Sequence, residues 1–237
     1  TPFWGGDIGG YPMTGYDNTA YGMMAFDDGA INNQAGGEIS VSGAGLYGMG
    51  VTDGTASNAG DIYVDGFKQI LDADGNITGE QYWKASSAQL PSTGMVAGSE
   101  NNDDSKATAT NTGTIIVHNA GYGMSAMYGG TAINQGTITL TADGNTGEAN
   151  QLVGIAALSG GEVINDTTGI INIDAAYGQP FLSTGGGIVL NYGTICIQGA
   201  CQDSAAYNPT DPYISILYSG GVIAATGETV TLTGGGL

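Results

Sequence analysis

A short aliphatic pair with one residue between its members returns seven times along this chain, at Ile39/Val41, Ile62/Val64, Ile115/Val117, Ile138/Leu140, Ile171/Ile173, Ile195/Ile197 and Val230/Leu232. The i, i+2 spacing puts both side chains of a pair on one face of a β-strand. Ser40, Tyr63, Ile116, Thr139, Asn172, Cys196 and Thr231 are left on the other face. One column is aliphatic and the other mostly polar, as expected of strands with one face in a core.

Successive pairs lie 23, 53, 23, 33, 24 and 35 residues apart, so the unit is about 23 residues. A fixed period of this size marks a solenoid or a propeller. The clearest copies read Tyr-Gly-Met at 122–124, Gly-Gly-Thr-Ala-Ile-Asn at 129–134 and Gly-Thr-Ile-Thr-Leu at 136–140; the next run from Val153 to Asn165 and Ile173, and a third from Tyr213 to Leu232 has Ala225 in place of the Asn. Three short strands per coil fit that length. The 44 glycines and the recurrent Asn then supply corners, where positive φ is cheap for Gly and tolerated by Asn. A single coil cannot bury its own apolar face, whereas stacked coils bury each other's and pair their backbones about every 4.8 Å. The fold expected is all-β: a right-handed parallel β-helix filling 1–237 as a single domain, with Asn32, Asn58, Asn111, Asn134, Asn165 and Asn191 at one corner, where their amides can stack.

The long intervals mark side insertions at 66–106, 143–151 and 198–212, each leaving after the third strand of a coil. Insertions on one side of a solenoid are where binding is commonly built. The first holds Lys68, Lys84 and Lys106, all the basic residues of the chain. Within it, Phe67 to Trp83 reads as a β-hairpin around Asp74-Gly75. Phe67, Lys68, Tyr82, Trp83 and Lys84 are therefore the candidate contact residues.

Twenty-two acidic residues against three basic ones give a net charge of −19, which leaves almost no cation to displace counterions from a nucleic acid or to attract an anionic bilayer. No apolar run reaches the ~18 residues of a membrane span, and Thr1 is followed by neither a basic nor an apolar leader region. The sequence is expected to be a mature or excised piece of a longer protein.

The pattern Asn-x-Gly-Thr-Ile-x-Val/Leu, alternating with Tyr-Gly-Met and Gly-Gly-Thr-Ala-Ile-Asn, resembles the repeats of autotransporter passenger domains of Gram-negative bacteria. The resemblance spans most of the chain outside residues 1–18 and 66–106. It implies export through an outer-membrane β-barrel translocator and a location outside the cell, on its surface or released from it. Passengers of this kind include adhesins, self-associating proteins and protease stalks. An exported protein meets an oxidising compartment, so Cys196 and Cys201, the only cysteines, are expected to form a disulfide in a small loop of the kind such passengers carry.

Other constellations fall short of chemistry. Asp72, Asp74 and Asn76 open like an EF-hand loop, but Ile77 and Trp83 stand where its Gly and Glu belong, which favours a simple hairpin. His118, the only histidine, has no nucleophile motif around any serine to serve and reads as a strand-end surface residue. The pairs Asp27/Asp28 and Asp103/Asp104 lack the basic residue of a polysaccharide-cleaving groove. No enzyme, metal site or cofactor is expected. The expected function is adhesion or bacterial self-association, with a host-cell, matrix or glycan surface or another copy as partner. A passive stalk is the first alternative, and a glycan-active β-helix enzyme the second.

Overall fold

The computed structural model describes residues 20–42, 45–71, 77–82, 91–98, 106–142, 152–175, 177–203, 218–219 and 222–225. Three strands per coil stack into three parallel sheets. The first contains β1 (Ala20–Ala25), β4 (Leu46–Val51), β9 (Thr93–Ala97), β12 (Gly121–Met127), β15 (Leu152–Leu158), β18 (Gln179–Thr184) and β22 (Tyr218–Ser219), in that order. The second contains β2 (Gly29–Asn33), β5 (Gly54–Asn58), β10 (Thr108–Asn111), β13 (Thr131–Asn134), β16 (Glu162–Asn165), β19 (Ile188–Asn191) and β23 (Val222–Ala225). The third contains β3 (Glu38–Ser42), β6 (Asp61–Asp65), β11 (Thr114–His118), β14 (Thr137–Thr141), β17 (Ile170–Ile173) and β20 (Thr194–Ile197), and ends on β21 (Ala200–Asp203), which pairs antiparallel with β20. The architecture is the right-handed parallel β-helix expected from the period.

Six of the seven aliphatic pairs lie in one register on the third sheet, from Ile39/Val41 on β3 to Ile195/Ile197 on β20. Ile62, Ile115, Ile138 and Ile171 are fully buried. Val230/Leu232 lies outside the described residues. The first sheet contributes the column Met49, Met95, Met124, Ile155 and Phe181 to the same core, and the second contributes Ala56, Ala109, Ala132, Val163 and Val189. Large side chains from the first and third sheets thus face smaller ones from the second.

The glycine of Tyr-Gly-Met has a packing reason. A Cβ on Gly123 would sit 2.6 Å from the carbonyl oxygen of Gly154 and 2.7 Å from Ile138 Cγ2. Gly22, Gly48, Gly94 and Gly154 approach the next rung and the corresponding isoleucine in the same way, so this column brings the first sheet against the third.

The asparagines form a buried ladder. Asn33 Nδ2 donates to Asn58 Oδ1 at 2.8 Å, and the relay continues from Asn58 to Asn111, Asn111 to Asn134, Asn134 to Asn165 and Asn165 to Asn191 at 2.8 to 2.9 Å. The first member is Asn33, not the expected Asn32, which is exposed and in register with Ser57. Counting back from the aliphatic pair fails here because corner length varies. Four residues (34–37) separate Asn33 from β3 and four (166–169) separate Asn165 from β17, whereas the other corners use two.

The expected hairpin is formed by β7 (Phe67–Leu71) and β8 (Ile77–Tyr82), antiparallel, with Phe67 opposite Tyr82. Its Asp74-Gly75 turn lies outside the described residues, as do Asp72 and Asn76. The boundary 66–106 requires correction. Residues 91–98 are all buried, and β9 is an integral rung of the first sheet between β4 and β12. Thr93-Gly94-Met95 is the Tyr-Gly-Met motif with its first residue exchanged, and Met95 enters the core column that this motif supplies.

Candidate interaction surfaces

A rod of this kind meets other molecules through the outward faces of its sheets and through whatever leaves its side. The outward face of the first sheet is exposed at Tyr21 on its first strand but buried over the rungs that follow. Tyr47, Val96 and Met127 form one buried cluster there, and Tyr122, Val153, Ala156 and Leu182 another. Burial drives the Tyr122 hydroxyl well above the usual tyrosine range.

The third sheet is open and mainly polar. Tyr63 is exposed, Ile116, Thr139 and Asn172 are half-buried, and Asn172 Nδ2 lies 3.4 Å from Thr139 Oγ1. His118 stands at the strand end with its Nδ1 2.9 Å from Thr141 Oγ1. Of the acidic residues of the first two rungs, Glu38, Asp61 and Asp65 lie at strand ends of this sheet, whereas Asp27, Asp28 and Asp53 lie at the corner between the first and second sheets. Asp27 and Asp28 take the left-handed conformation at φ 51° and 62°, which makes their pairing a corner feature. Among the described residues no three His, Cys, Asp or Glu side chains come together in a way that could hold a metal ion.

The second sheet carries an apolar feature on its outward side that the inward aliphatic repeat does not mark. Its outward column nearest the Asn corner runs Asn32, Ser57, Thr110, Ile133, Ile164, Leu190. The column turns from polar to aliphatic at the fourth rung. Ile133, Ile164 and Leu190 are half-buried, and Ile188 in the neighbouring column is 39% exposed. Tyr192 and Ile170, on the far side of the corner, are 38% and 36% exposed. The signal was present in Thr-Ala-Ile-Asn: strand alternation sends Ala132 and Asn134 inward and therefore Ile133 outward. The inward position went to the small residue and the outward one to the large, opposite to the third sheet.

Two acids border this strip. Glu162 lies between Thr131 and Ile188 in the neighbouring column. Asp166 follows Asn165 at the corner and accepts hydrogen bonds from Gln135 Nε2 at 2.9 Å and from the Thr167 backbone N–H at 2.7 Å. The Gln135 bond, followed by that from Thr167, holds the Asp166 carboxyl below the usual range, so it stays ionised.

Of the residues singled out in the first insertion, Phe67, Lys68 and Tyr82 lie on the hairpin backbone, with Phe67 and Tyr82 paired where it leaves the rod beside Gly66. Trp83 and Lys84 are outside the described residues. Cys196 and Cys201 occupy opposed positions on β20 and β21 and are joined in a disulfide. The connection is a two-residue turn with Gln198 and Gly199 at φ 48° and 80°, the primed geometry that suits the twist of paired strands.

These features define the chain as a pectate-lyase-like parallel β-helix in which the rod carries the surfaces. The family described as the BigA third pectate lyase-like domain matches residues 7–169, and the chain belongs to it. It is also 54% identical over 204 residues to the putative surface-exposed virulence protein BigA of Salmonella typhimurium, a match covering 86% of this chain and 10% of that protein. The chain thus spans about a tenth of the length of this relative. No solved structure matches it.

Proposed function

We propose that this chain is an adhesive segment of a surface-displayed, virulence-associated protein, working by contact and not by catalysis. The relative's name, putative surface-exposed virulence protein, supports the location and the association with virulence. The repeat resemblance supports export as an autotransporter passenger through an outer-membrane β-barrel. The observation that carries adhesion is the second sheet's outward face. The fold tolerates Ser57 and Thr110 in that column, yet the same column becomes aliphatic from Ile133 to Leu190. Exposed contiguous apolar surface with a polar rim is characteristic of contact sites. The mainly polar third sheet and the hairpin bearing Phe67, Lys68 and Tyr82 offer further contacts to a host-cell, matrix or glycan surface or to another copy.

The experiment is attachment of beads coated with the folded fragment to epithelial monolayers and matrix proteins, alongside a bead-clumping assay. Adhesion or clumping above uncoated beads is expected. A folded fragment that does neither overturns the reading and leaves the passive stalk, which is favoured by one specific observation: the chain spans only about a tenth of the length of its relative.

A further inference from the structure

The strip on the second sheet is small and its border is acidic, and the two facts together constrain its partner. Ile133, Ile164 and Leu190 stand on three consecutive rungs, so the column is only about 10 Å long. A flat protein–protein interface of standard size needs far more than one such column. A single segment laid along it matches better. Side chains on one face of a helix recur about every 5.4 Å along its axis, close to the rung spacing of about 4.8 Å. Helix-in-groove recognition through apolar anchors at i, i+3/i+4 and i+7 uses this kind of periodicity.

Charge then selects the segment. Glu162 and the firmly ionised Asp166 flank the strip, while the chain's three lysines, at 68, 84 and 106, all precede the rung on which it begins. A second copy would bring the same excess of 22 acids over three bases to this border. Like charges placed opposite each other suppress such pairing. A segment with lysines or arginines beside its apolar face would meet both requirements.

We propose that the outward face of the second sheet around Ile164 and Leu190 is a docking face for one amphipathic, cation-bearing segment of a partner protein, with Glu162 and Asp166 as its charged border. The assignment rests on the adhesive reading and gives that reading a partner chemistry.

The test uses three synthetic helical peptides as probes: one of leucine and lysine with a single apolar face, one with serine replacing leucine at the same charge, and one with glutamate replacing lysine. Binding to the folded fragment is read by fluorescence anisotropy at an ionic strength of about 0.15 M, where the Debye length is about 8 Å. The leucine–lysine peptide is expected to bind at least about tenfold more tightly than either other peptide. Ile164→Thr with Leu190→Thr places in the column the residue it already carries at Thr110, so the coil keeps its β propensity. That variant is expected to lose about tenfold for the leucine–lysine peptide with no change for the serine–lysine peptide. Glu162→Gln, which leaves the apolar strip intact, is expected to weaken the leucine–lysine peptide about threefold.

Equal binding of the leucine–lysine and serine–lysine peptides would reduce the effect to general attraction by an acidic protein and overturn the proposal. Insensitivity to the Ile164/Leu190 variant would overturn it by moving the contact elsewhere, and equal binding of the leucine–glutamate peptide would overturn its charge requirement. Sedimentation velocity showing a dimer that the Ile164/Leu190 variant abolishes would make a second copy the occupant instead. The two levels separate: any of these contrary peptide results overturns this docking face alone, whereas a wild-type fragment whose beads neither adhere nor clump overturns the adhesive reading itself.

Discussion

Among the described residues the buried side-chain amide nitrogen of Asn191 has no hydrogen-bond acceptor, and the residue in register with Asn191 on the next rung is Ala225. Each earlier asparagine donates to the one after it, so the ladder ends at this point because its next acceptor is missing. Supplying one is expected to help. Ala225→Asn should raise the unfolding free energy by about 0.5–1.5 kcal/mol, the net worth of one hydrogen bond, measured as a higher urea midpoint at unchanged slope.

Interrupting the ladder internally has the opposite sign and a larger size. Asn134→Ala takes the acceptor from Asn111 and the donor from Asn165, and both amides are fully buried. An unsatisfied buried group costs about 1–3 kcal/mol, so a loss of about 2–5 kcal/mol is expected in urea unfolding. Asn32→Ala, on the exposed neighbour of the true first member, should fall within about 0.5 kcal/mol of wild type. A large loss for Asn32→Ala would contradict the register.

Gly123→Ala should destabilise by about 1–3 kcal/mol, because the added methyl meets a backbone oxygen and a core isoleucine with no space to yield. A thermal melt unchanged from wild type would show that the rungs can part more easily than this packing implies.

The Cys196–Cys201 bond closes a short loop, for which the chain-entropy account gives about 2 kcal/mol at most. Replacing both cysteines by serine is therefore expected to leave the coil folded and to raise amide exchange locally, at residues 197–203. Thiol titration of unreduced protein should find none. Global unfolding of the double variant would mean that β21 secures far more than the edge of β20.

Asp166 should titrate below an ordinary aspartate, whose pKa is about 3.9, when followed by carboxyl carbon NMR. Its folded value is depressed, so its small contribution to stability is present above the unfolded pKa and disappears as pH falls through the folded one. Gln135→Ala removes the largest cause and should bring the midpoint back up.

Most of the fold could be read from the chain because the inward aliphatic pairs obey a strict two-residue alternation and return at a near-constant interval. What escaped did so for local reasons. Asn33 was hidden behind Asn32 because corners of two and four residues both suit the coil. The rung at Thr93–Ala97 was hidden because Thr93 replaces the tyrosine of its motif, while Gly94 and Met95 kept the two positions that packing demands. The strip at Ile133, Ile164 and Leu190 was harder to see, since an outward isoleucine and an inward one look alike until strand alternation is traced through the neighbouring Ala132 and Asn134.

The antiparallel return of β21 against β20 has a mechanical consequence. Up to the sixth rung, tension along the rod axis is shared by three ladders of backbone hydrogen bonds; beyond it, among the described strands, only β18–β22 and β19–β23 bridge to the next rung. Under a pulling force such as shear flow exerts on a tethered cell, the joint after the sixth rung is expected to open first. The stapled hairpin would then remain with the six-rung portion, with β21 still covering the edge of β20.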